Sequence, residues 1–134
     1  MALDYSTKHG VATSIGHSPV SALIDPNAGS KNSIAEALTN IIWAPIENGL
    51  KGVSLSANWM WPCKNEGEDA RLYKAVESVS KFAIELGINI PTGKDSLSMN
   101  QKYENFEIKS PGTVIVSATA HCNNISNIIE PVFK

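Results

Sequence analysis

The segment PTGKDSLSM, residues 91–99, brings together the kinds of group that contact phosphate. Lys94 supplies a compact positive charge, Ser96 supplies a hydroxyl donor, and Gly93 allows the backbone to pass close to a ligand. The segment is not a P-loop, because no glycine stands at the GxxxxGK spacing and Asp95 replaces the hydroxyl residue that follows the lysine. A polar hairpin turn would explain the same residues. Taken alone, the segment leaves phosphate binding and a simple turn equally open.

The composition predicts a single soluble domain with an ordinary core. Of the 134 residues, 43% are hydrophobic and 18% are charged. A chain of this length and composition can bury a stable core without disulfides. The formal net charge of −2 is too small to favour nucleic acid or an anionic membrane as a partner. Cys63 and Cys122 form neither a disulfide framework nor a metal motif, and no apolar run reaches the ~20 residues of a membrane span. We therefore expect a cytoplasmic protein in which any phosphate site is local.

The elements ahead of the polar segment are predicted to alternate between strand and helix. Val20–Ile24 alternates weakly as a strand and ends at a cluster of turn formers. Ser33 followed by Glu36 has the spacing of a capping box and predicts a helix that ends near Pro45. Val53–Ala57 then alternates as a second strand.

An irregular loop and a second helix are predicted next. The loop begins at Asn58 and carries Trp59 and Trp61, which we expect to pack on a neighbouring domain rather than stack on a base. Glu68 opens a helix with a continuous apolar stripe, and Gly87 ends it. Ile88–Ile90 is predicted as a short strand that leads into the GKDS residues as a turn.

The remaining pattern completes an α+β domain. Residues 101–109 alternate as an exposed strand, and Thr113–Cys122 has the composition of a buried strand. We treat 1–134 as one domain, with an N-terminal segment over 1–16 and a short helix or coil over 123–134 that ends at a boundary to a following domain. Two helices would cover one face of a mixed sheet. The opposite face carries small residues, which suggests packing against a partner domain: Ser54, Ser56, Ser117 and Thr119.

Four sequence blocks together resemble one enzyme family. They are EALTN at 36–40, SANWM at 56–60, GEDARLY at 67–73 and GKDSLSM at 93–99. In this order they are similar to the large, single-chain phosphoribosylformylglycinamidine synthases, in the first subdomain of the second synthetase half. Since members of that family are far longer, the resemblance implies a fragment. It also implies the N-terminal domain fold of aminoimidazole ribonucleotide synthetase (PurM-like), in which two sheets pair into a barrel.

The resemblance implies a ligase that uses ATP and glutamine to convert formylglycinamide ribonucleotide to its amidine in purine biosynthesis. The fragment would supply part of the ATP, magnesium and substrate clefts to the remaining domains of the parent chain, and would be inactive alone. Glu36 and Asn40, four residues apart on one helix face, match magnesium ligands, although the capping box also accounts for Glu36. The positions that match stretches near ATP or ADP and the ribonucleotide are Gly93, Lys94, Ser96 and Asn58.

A second interpretation is a stand-alone nucleotide-binding or scaffolding module of the same superfamily. Such a module would pair with a copy of itself through the open sheet and would bind nucleotide tightly. An excised fragment would also seek a partner for that face, so self-association alone does not separate the two interpretations. No histidine has a carboxylate at a recognisable acid–base spacing, and His17 is the one best placed to face a ligand.

Overall fold

The structure is a computed structural model that describes residues 1–132. Its α-helices are α1 (Pro19–Ile24), α2 (Pro26–Ile41) and α3 (Glu68–Leu86). Its strands are β1 (Gly10–His17), β2 (Val53–Met60), β3 (Asn89–Ser96), β4 (Asn100–Lys102), β5 (Glu107–Lys109) and β6 (Thr113–Cys122). Single 3₁₀ turns occupy Gly49–Gly52 and Ile125–Asn127. Among the described residues, no helix is both long and apolar enough to cross a membrane.

Four strands form a mixed sheet in the order β1-β6-β2-β3. β6 runs antiparallel to both of its neighbours, whereas β2 and β3 run parallel. A parallel pair needs a crossover connection, and α3 provides it. The predicted mixed sheet of an α+β domain is confirmed.

The helices cover one face of this sheet. Alternate residues of β2 and β6 are buried. α2 packs on β1 and β6, and α3 packs on α2 and contributes Val79 to the same core. The core cluster is therefore drawn from both layers: Ile34, Ala37, Leu38, Ile41, Val53, Leu55, Ala57, Val79, Ile88, Val114, Val116, Ala118 and Ala120. The intervening strand residues point to the opposite, open face.

The first predicted strand is wrong, because Val20–Ile24 lies in helix α1. Pro19 occupies the first turn of that helix, where its missing N–H costs nothing. Ala22 is buried so closely against Gly29 of α2 that a Cβ on the glycine would meet the alanine backbone. Weak alternation over five residues does not distinguish a strand from a short helix with one buried side.

Helix α2 begins seven residues earlier than predicted. Asp25 Oδ1 accepts a hydrogen bond from the Asn27 N–H at 2.9 Å, and Pro26 follows as the first helical residue. Ser33 lies inside the helix and donates to the Gly29 carbonyl at 3.1 Å, so the predicted capping box with Glu36 does not exist. The helix ends at Ile41, ahead of Pro45. The Asp-Pro pair that looked like a turn is the true N-terminal signal.

The GKDS residues form part of strand β3 and not a turn. Gly93 lies opposite Ala57 and Lys94 lies opposite Asn58 in the parallel pair with β2. Asn58 was predicted to begin a loop, and it lies inside β2 instead. β3 is an edge strand with mostly exposed side chains, so it tolerates polar residues that a central strand would not.

The other elements mostly follow their patterns. α3 begins at Glu68 and ends at Leu86, and Gly87 caps it with a φ of 68°, the left-handed conformation of a C-terminal glycine cap. β6 has the predicted bounds. The predicted N-terminal segment holds β1, and residues 101–109 form a β4–β5 hairpin instead of one strand. Of the predicted C-terminal helix or coil, Ile125–Asn127 is a 3₁₀ turn, and residues 133 and 134 lie outside the described part.

Candidate functional site

The open face of the sheet carries a row of side chains that crosses all four strands. His17 of β1 pairs with Ile115 of β6, Ile115 pairs with Asn58 of β2, and Asn58 pairs with Lys94 of β3. Paired residues point to the same face, so these side chains lie side by side. A second row contains Ile15, Ser117, Ser56 and Thr92. The predicted set of small residues is therefore on the open face.

Lys94, Ser96 and Asn58 come together at the β2–β3 end of that face. Lys94 Nζ donates a hydrogen bond to Ser96 Oγ at 2.7 Å, because residues two apart on a strand share a face. The Asn58 side chain is half-buried, and its Oδ1 has no hydrogen-bond partner among the described residues. A cation, a hydroxyl and an amide thus converge where an anionic, hydrogen-bonding ligand could satisfy them.

Gly93 has a packing role in this arrangement. A Cβ at Gly93 would meet the carbonyl oxygen of Ala57, so the close parallel pairing of β3 with β2 requires glycine. We predicted that this glycine lets the backbone approach a ligand. In the structure, Gly93 instead lets the β3 backbone lie close to β2. Its part in ligand binding stays a prediction.

Glu36 and Asn40 share one face of α2 and reach the outer edge of β1. Glu36 Oε2 accepts a hydrogen bond from the His17 backbone N–H at 2.6 Å. Asn40 Nδ2 donates to the Ile15 carbonyl at 3.0 Å. Both side chains are exposed, and the hydrogen bonds of the described residues leave Glu36 Oε1 and Asn40 Oδ1 unused. Carboxylate and amide oxygens are suitable ligands for Mg²⁺.

The two candidate ligands do not make a complete metal site by themselves. No group of three His, Cys, Asp or Glu side chains that could hold a metal occurs among residues 1–132. Mg²⁺ takes six oxygen ligands and usually keeps several waters or phosphate oxygens. A cation at Glu36 and Asn40 would therefore need oxygens from a nucleotide, from water or from another part of a longer chain.

The two groups of candidate residues lie at opposite edges of the sheet. Glu36 and Asn40 are at the β1 edge, and the group that contains Lys94 is at the β3 edge. His17 and Lys94 are separated by three strand spacings of about 4.8 Å, or roughly 14 Å between backbones. One phosphate group cannot contact both the Glu36 carboxylate and the Lys94 ammonium in this geometry. The arrangement fits either one extended ligand or two separate subsites.

Two further sequence features are explained by packing or by charge. Trp61 is fully buried with its ring against Gly112, so it packs within this domain and not on a neighbouring one as predicted. Trp59 also packs on the core of this chain. Burial raises the pKa of the Cys63 thiol, and the nearby Asp69, Glu68 and Asp95 carboxylates raise it further. A thiol held in its neutral form is a poor nucleophile.

The family model for the FGAR-AT PurM_N-like domain matches residues 1–121. The chain belongs to this family. A probable phosphoribosylformylglycinamidine synthase of Caenorhabditis elegans is 43% identical over 134 residues, which are 100% of this chain and 10% of that protein. The chain thus spans about a tenth of the length of the curated relatives that it matches.

Solved structures of PurL from Thermotoga maritima have a similar fold. PurL of Thermotoga maritima complexed with ATP superposes with a TM-score of 0.69 and 17% identity, over 96% of this chain and 20% of that one. PurL of T. maritima complexed with FGAR gives a TM-score of 0.65 and 12% identity, over 87% and 16%. At this identity the likeness establishes the PurM-like fold, in agreement with the fold that the sequence blocks implied.

The sequence missed how α2 meets β1. Glu36 was assigned either to a helix cap or to a metal, and its bond to His17 was not foreseen. The available signal was Asp25-Pro26, which places the helix start upstream and turns Glu36 and Asn40 into residues of its middle and last turn.

Proposed function

We propose that this chain is part of a phosphoribosylformylglycinamidine synthase. This enzyme is an ATP-dependent ligase that forms formylglycinamidine ribonucleotide from formylglycinamide ribonucleotide, ATP and glutamine. The observation that carries the proposal is the family membership, together with Lys94, Ser96 and Asn58 side by side on one sheet face. Relatives of the same fold that bind ATP and FGAR support it.

In the parent reaction, the carbonyl oxygen of the glycinamide group would attack the γ-phosphorus of ATP and release ADP. Ammonia from glutamine would then add to the activated carbon, and phosphate would leave. Such chemistry needs no protein nucleophile, since positioning and neutralisation of charge lower the barrier. A bound Mg²⁺ would neutralise phosphate charge.

The residues of this chain would contribute two kinds of contact. Lys94 and Ser96 would bind phosphate oxygens of a nucleotide or of the ribonucleotide, and the amide of Asn58 would orient the ligand between them. Glu36 and Asn40 would each provide one oxygen to Mg²⁺. Gly93 would keep β3 close enough to β2 for Lys94 and Asn58 to stay adjacent.

The fragment would be inactive alone. Glu36 and Asn40 supply too few ligands for a metal, and the open sheet face lacks the second domain that would close a barrel over it. The remaining domains of the parent chain would provide the missing metal ligands and the second sheet of the barrel. An isolated fragment would instead pair with a copy of itself through the open face.

Replacement of Lys94 in the full-length parent enzyme tests the proposal. A charge-assisted hydrogen bond contributes about 1.5–3 kcal/mol, so Lys94→Ala should lower kcat/KM for ATP or for the ribonucleotide roughly 10- to 150-fold. Lys74→Ala, which removes an exposed lysine on α3, is the matched control. Wild-type kinetics for Lys94→Ala would remove the GKDS residues from the reactive cleft.

A binding measurement on the 134-residue chain distinguishes a stand-alone nucleotide-binding module from a fragment of a longer enzyme. An isolated module should bind ATP with micromolar or better affinity, whereas a fragment with an incomplete metal site should bind it weakly. Calorimetry with ATP and Mg²⁺ distinguishes the two, and dimerisation alone does not.

A further inference from the structure

Helix α3 carries a second apolar stripe next to the one that packs on α2 and the core. Tyr73, Val76 and Ile84 are 69%, 43% and 76% exposed, and the exposed Ser80 lies between the last two. These positions follow one another at spacings of three, four and four residues, so they share one face of the helix. The fold of residues 1–132 leaves this face open to solvent.

A cavity beside the stripe enlarges the apolar surface. It has a volume of about 330 Å³ and lies between α3 and the β2–β3 side of the sheet. Val76 and Ile84 border it from the helix, and Trp59 and Ile90 border it from the strands. The stripe and the lining of this cavity together form what we call the α3 surface. Contiguous exposed apolar area of this kind is typical of a docking site.

The charges along the other side of the stripe reverse their order halfway along the helix. They follow at spacings of three, four and four residues and are Lys74, Glu77, Lys81 and Glu85. Within one chain, Lys81 Nζ lies 2.9 Å from Glu77 Oε1. Two antiparallel copies of α3 would bring their charged sides together, with Lys74 near Glu85 of the second copy and Glu77 near Lys81 of the second copy. A parallel pair would hold the charged sides apart, so the surface is complementary to itself only in the antiparallel arrangement.

We propose that the α3 surface is the docking site for a second copy of this chain, with the two α3 helices antiparallel about a two-fold axis near Ser80. The small serine side chain allows the helices to approach closely at their crossing. Val76 of one copy would lie against Ile84 of the other, because each is four residues from Ser80. The Tyr73 ring would cover the end of the other α3, beside the cavity. Each contact would occur twice, as in any two-fold interface.

This contact is independent of the proposed enzyme site. α3 lies on the helical side of the sheet, whereas Lys94 and Asn58 lie on the open face. Pairing through α3 therefore leaves the open face free for a second domain. A chain that used both faces would form a tetramer or a longer assembly instead of a dimer.

Sedimentation equilibrium of the 134-residue chain tests the docking surface. Ile84→Glu places a charge in the middle of the contact without touching the core, because the side chain is 76% exposed. The dissociation constant of the dimer should rise at least about tenfold, since a buried unpaired charge opposes association. Ile24→Glu on α1, at a side chain that is 84% exposed, is the matched control and should leave the constant unchanged. A chain that stays monomeric at about 1 mM, or equal constants for Ile84→Glu and the wild type, would overturn the proposal.

An exchange of two charges tests the antiparallel arrangement. Glu77→Lys together with Lys81→Glu keeps opposite charges together both within one helix and between two identical copies. A mixed pair with the wild type instead brings carboxylate against carboxylate and ammonium against ammonium. In an equimolar mixture followed by native mass spectrometry, mixed dimers should fall at least about threefold below their statistical share. A statistical share would overturn the antiparallel pairing.

A cysteine at the proposed axis tests which face makes the contact. Ser80→Cys in a Cys63→Ala background leaves the buried Cys122 as the one other thiol. Mild oxidation should link two copies at least about tenfold faster than for Asn32→Cys, at an exposed position of α2 in the same background. A dimer that forms without this cross-link would place the contact on another face, such as the open sheet, and overturn the assignment to α3.

Discussion

The Glu36 carboxylate accepts the backbone N–H of His17 at 2.6 Å and so ties the middle of α2 to the last residue of β1. His17 also begins the row of open-face residues that ends at Lys94. Glu36, the proposed Mg²⁺ ligand, is therefore connected to Lys94, the proposed phosphate-binding residue, through the row of paired residues that crosses the four strands. A change at Glu36 acts on the fold and on the site at the same time, and the two effects need to be separated.

Substitution of Glu36 by glutamine separates them. Glutamine keeps an oxygen that can accept from His17 N–H, so unfolding in urea should change by less than about 0.5 kcal/mol, whereas Glu36→Ala should cost about 1 kcal/mol. In the full-length parent both variants should weaken Mg²⁺-dependent nucleotide binding, because neither retains the carboxylate charge. Glu85→Ala, an exposed carboxylate on α3, serves as the control. Full occupancy of Mg²⁺ and nucleotide in Glu36→Gln would exclude the ligand role.

Gly93→Ala should destabilise the sheet. The added Cβ would meet the Ala57 carbonyl oxygen, so β3 must move away from β2 at a cost of about 1–3 kcal/mol. Denaturant titration of the 134-residue chain measures this cost. The neighbouring substitution Asp95→Ala, at an exposed position of the same strand, should change stability by less than about 0.5 kcal/mol. Equal stability of Gly93→Ala and the wild type would contradict the packing role of the glycine.

Two isoleucines of adjacent helices should differ sharply in their contribution to stability. Ile34 of α2 is 0% exposed in the core and Ile24 of α1 is 84% exposed. Ile34→Ala leaves a cavity and should cost about 2–5 kcal/mol, while Ile24→Ala should be close to neutral. Thermal or urea unfolding of the two variants provides the comparison. Similar losses at both positions would place the core elsewhere.

The Cys63 thiol should titrate above the ordinary value for cysteine. Burial and then the carboxylates of Asp69, Glu68 and Asp95 raise its pKa, so the neutral thiol is favoured in the folded state. The associated stability is fully present below the pKa of the unfolded chain and is lost as pH rises through the higher pKa of the folded one. The rate of alkylation against pH, measured in a Cys122→Ala background, should have its midpoint above that of an unfolded control. Asp69→Asn should lower that midpoint, and an unchanged midpoint would remove the carboxylate effect.

Local patterns were sufficient for the elements that bury a regular stripe. α3 repeats its apolar residues over five turns and ends in a glycine cap, so its bounds follow from the sequence. β6 is buried between two strands and has the composition of a central strand. The blocks EALTN, SANWM, GEDARLY and GKDSLSM indicated the family, and residues 1–121 match its model. These features depend on neighbouring residues in the chain, which the sequence displays directly.

The tertiary structure decided the elements whose form depends on a distant partner. PTGKDS has turn-like residues, yet it becomes strand β3 because the parallel edge of β2 satisfies its backbone groups. Val20–Ile24 becomes a helix because Ala22 packs on Gly29. The sequence by itself determined the family, the long helix, the central strand and the identity of the candidate ligands. Only the tertiary structure placed Glu36 on the edge of β1 and Lys94 beside Asn58, because strand register is set by hydrogen bonds between residues far apart in the chain.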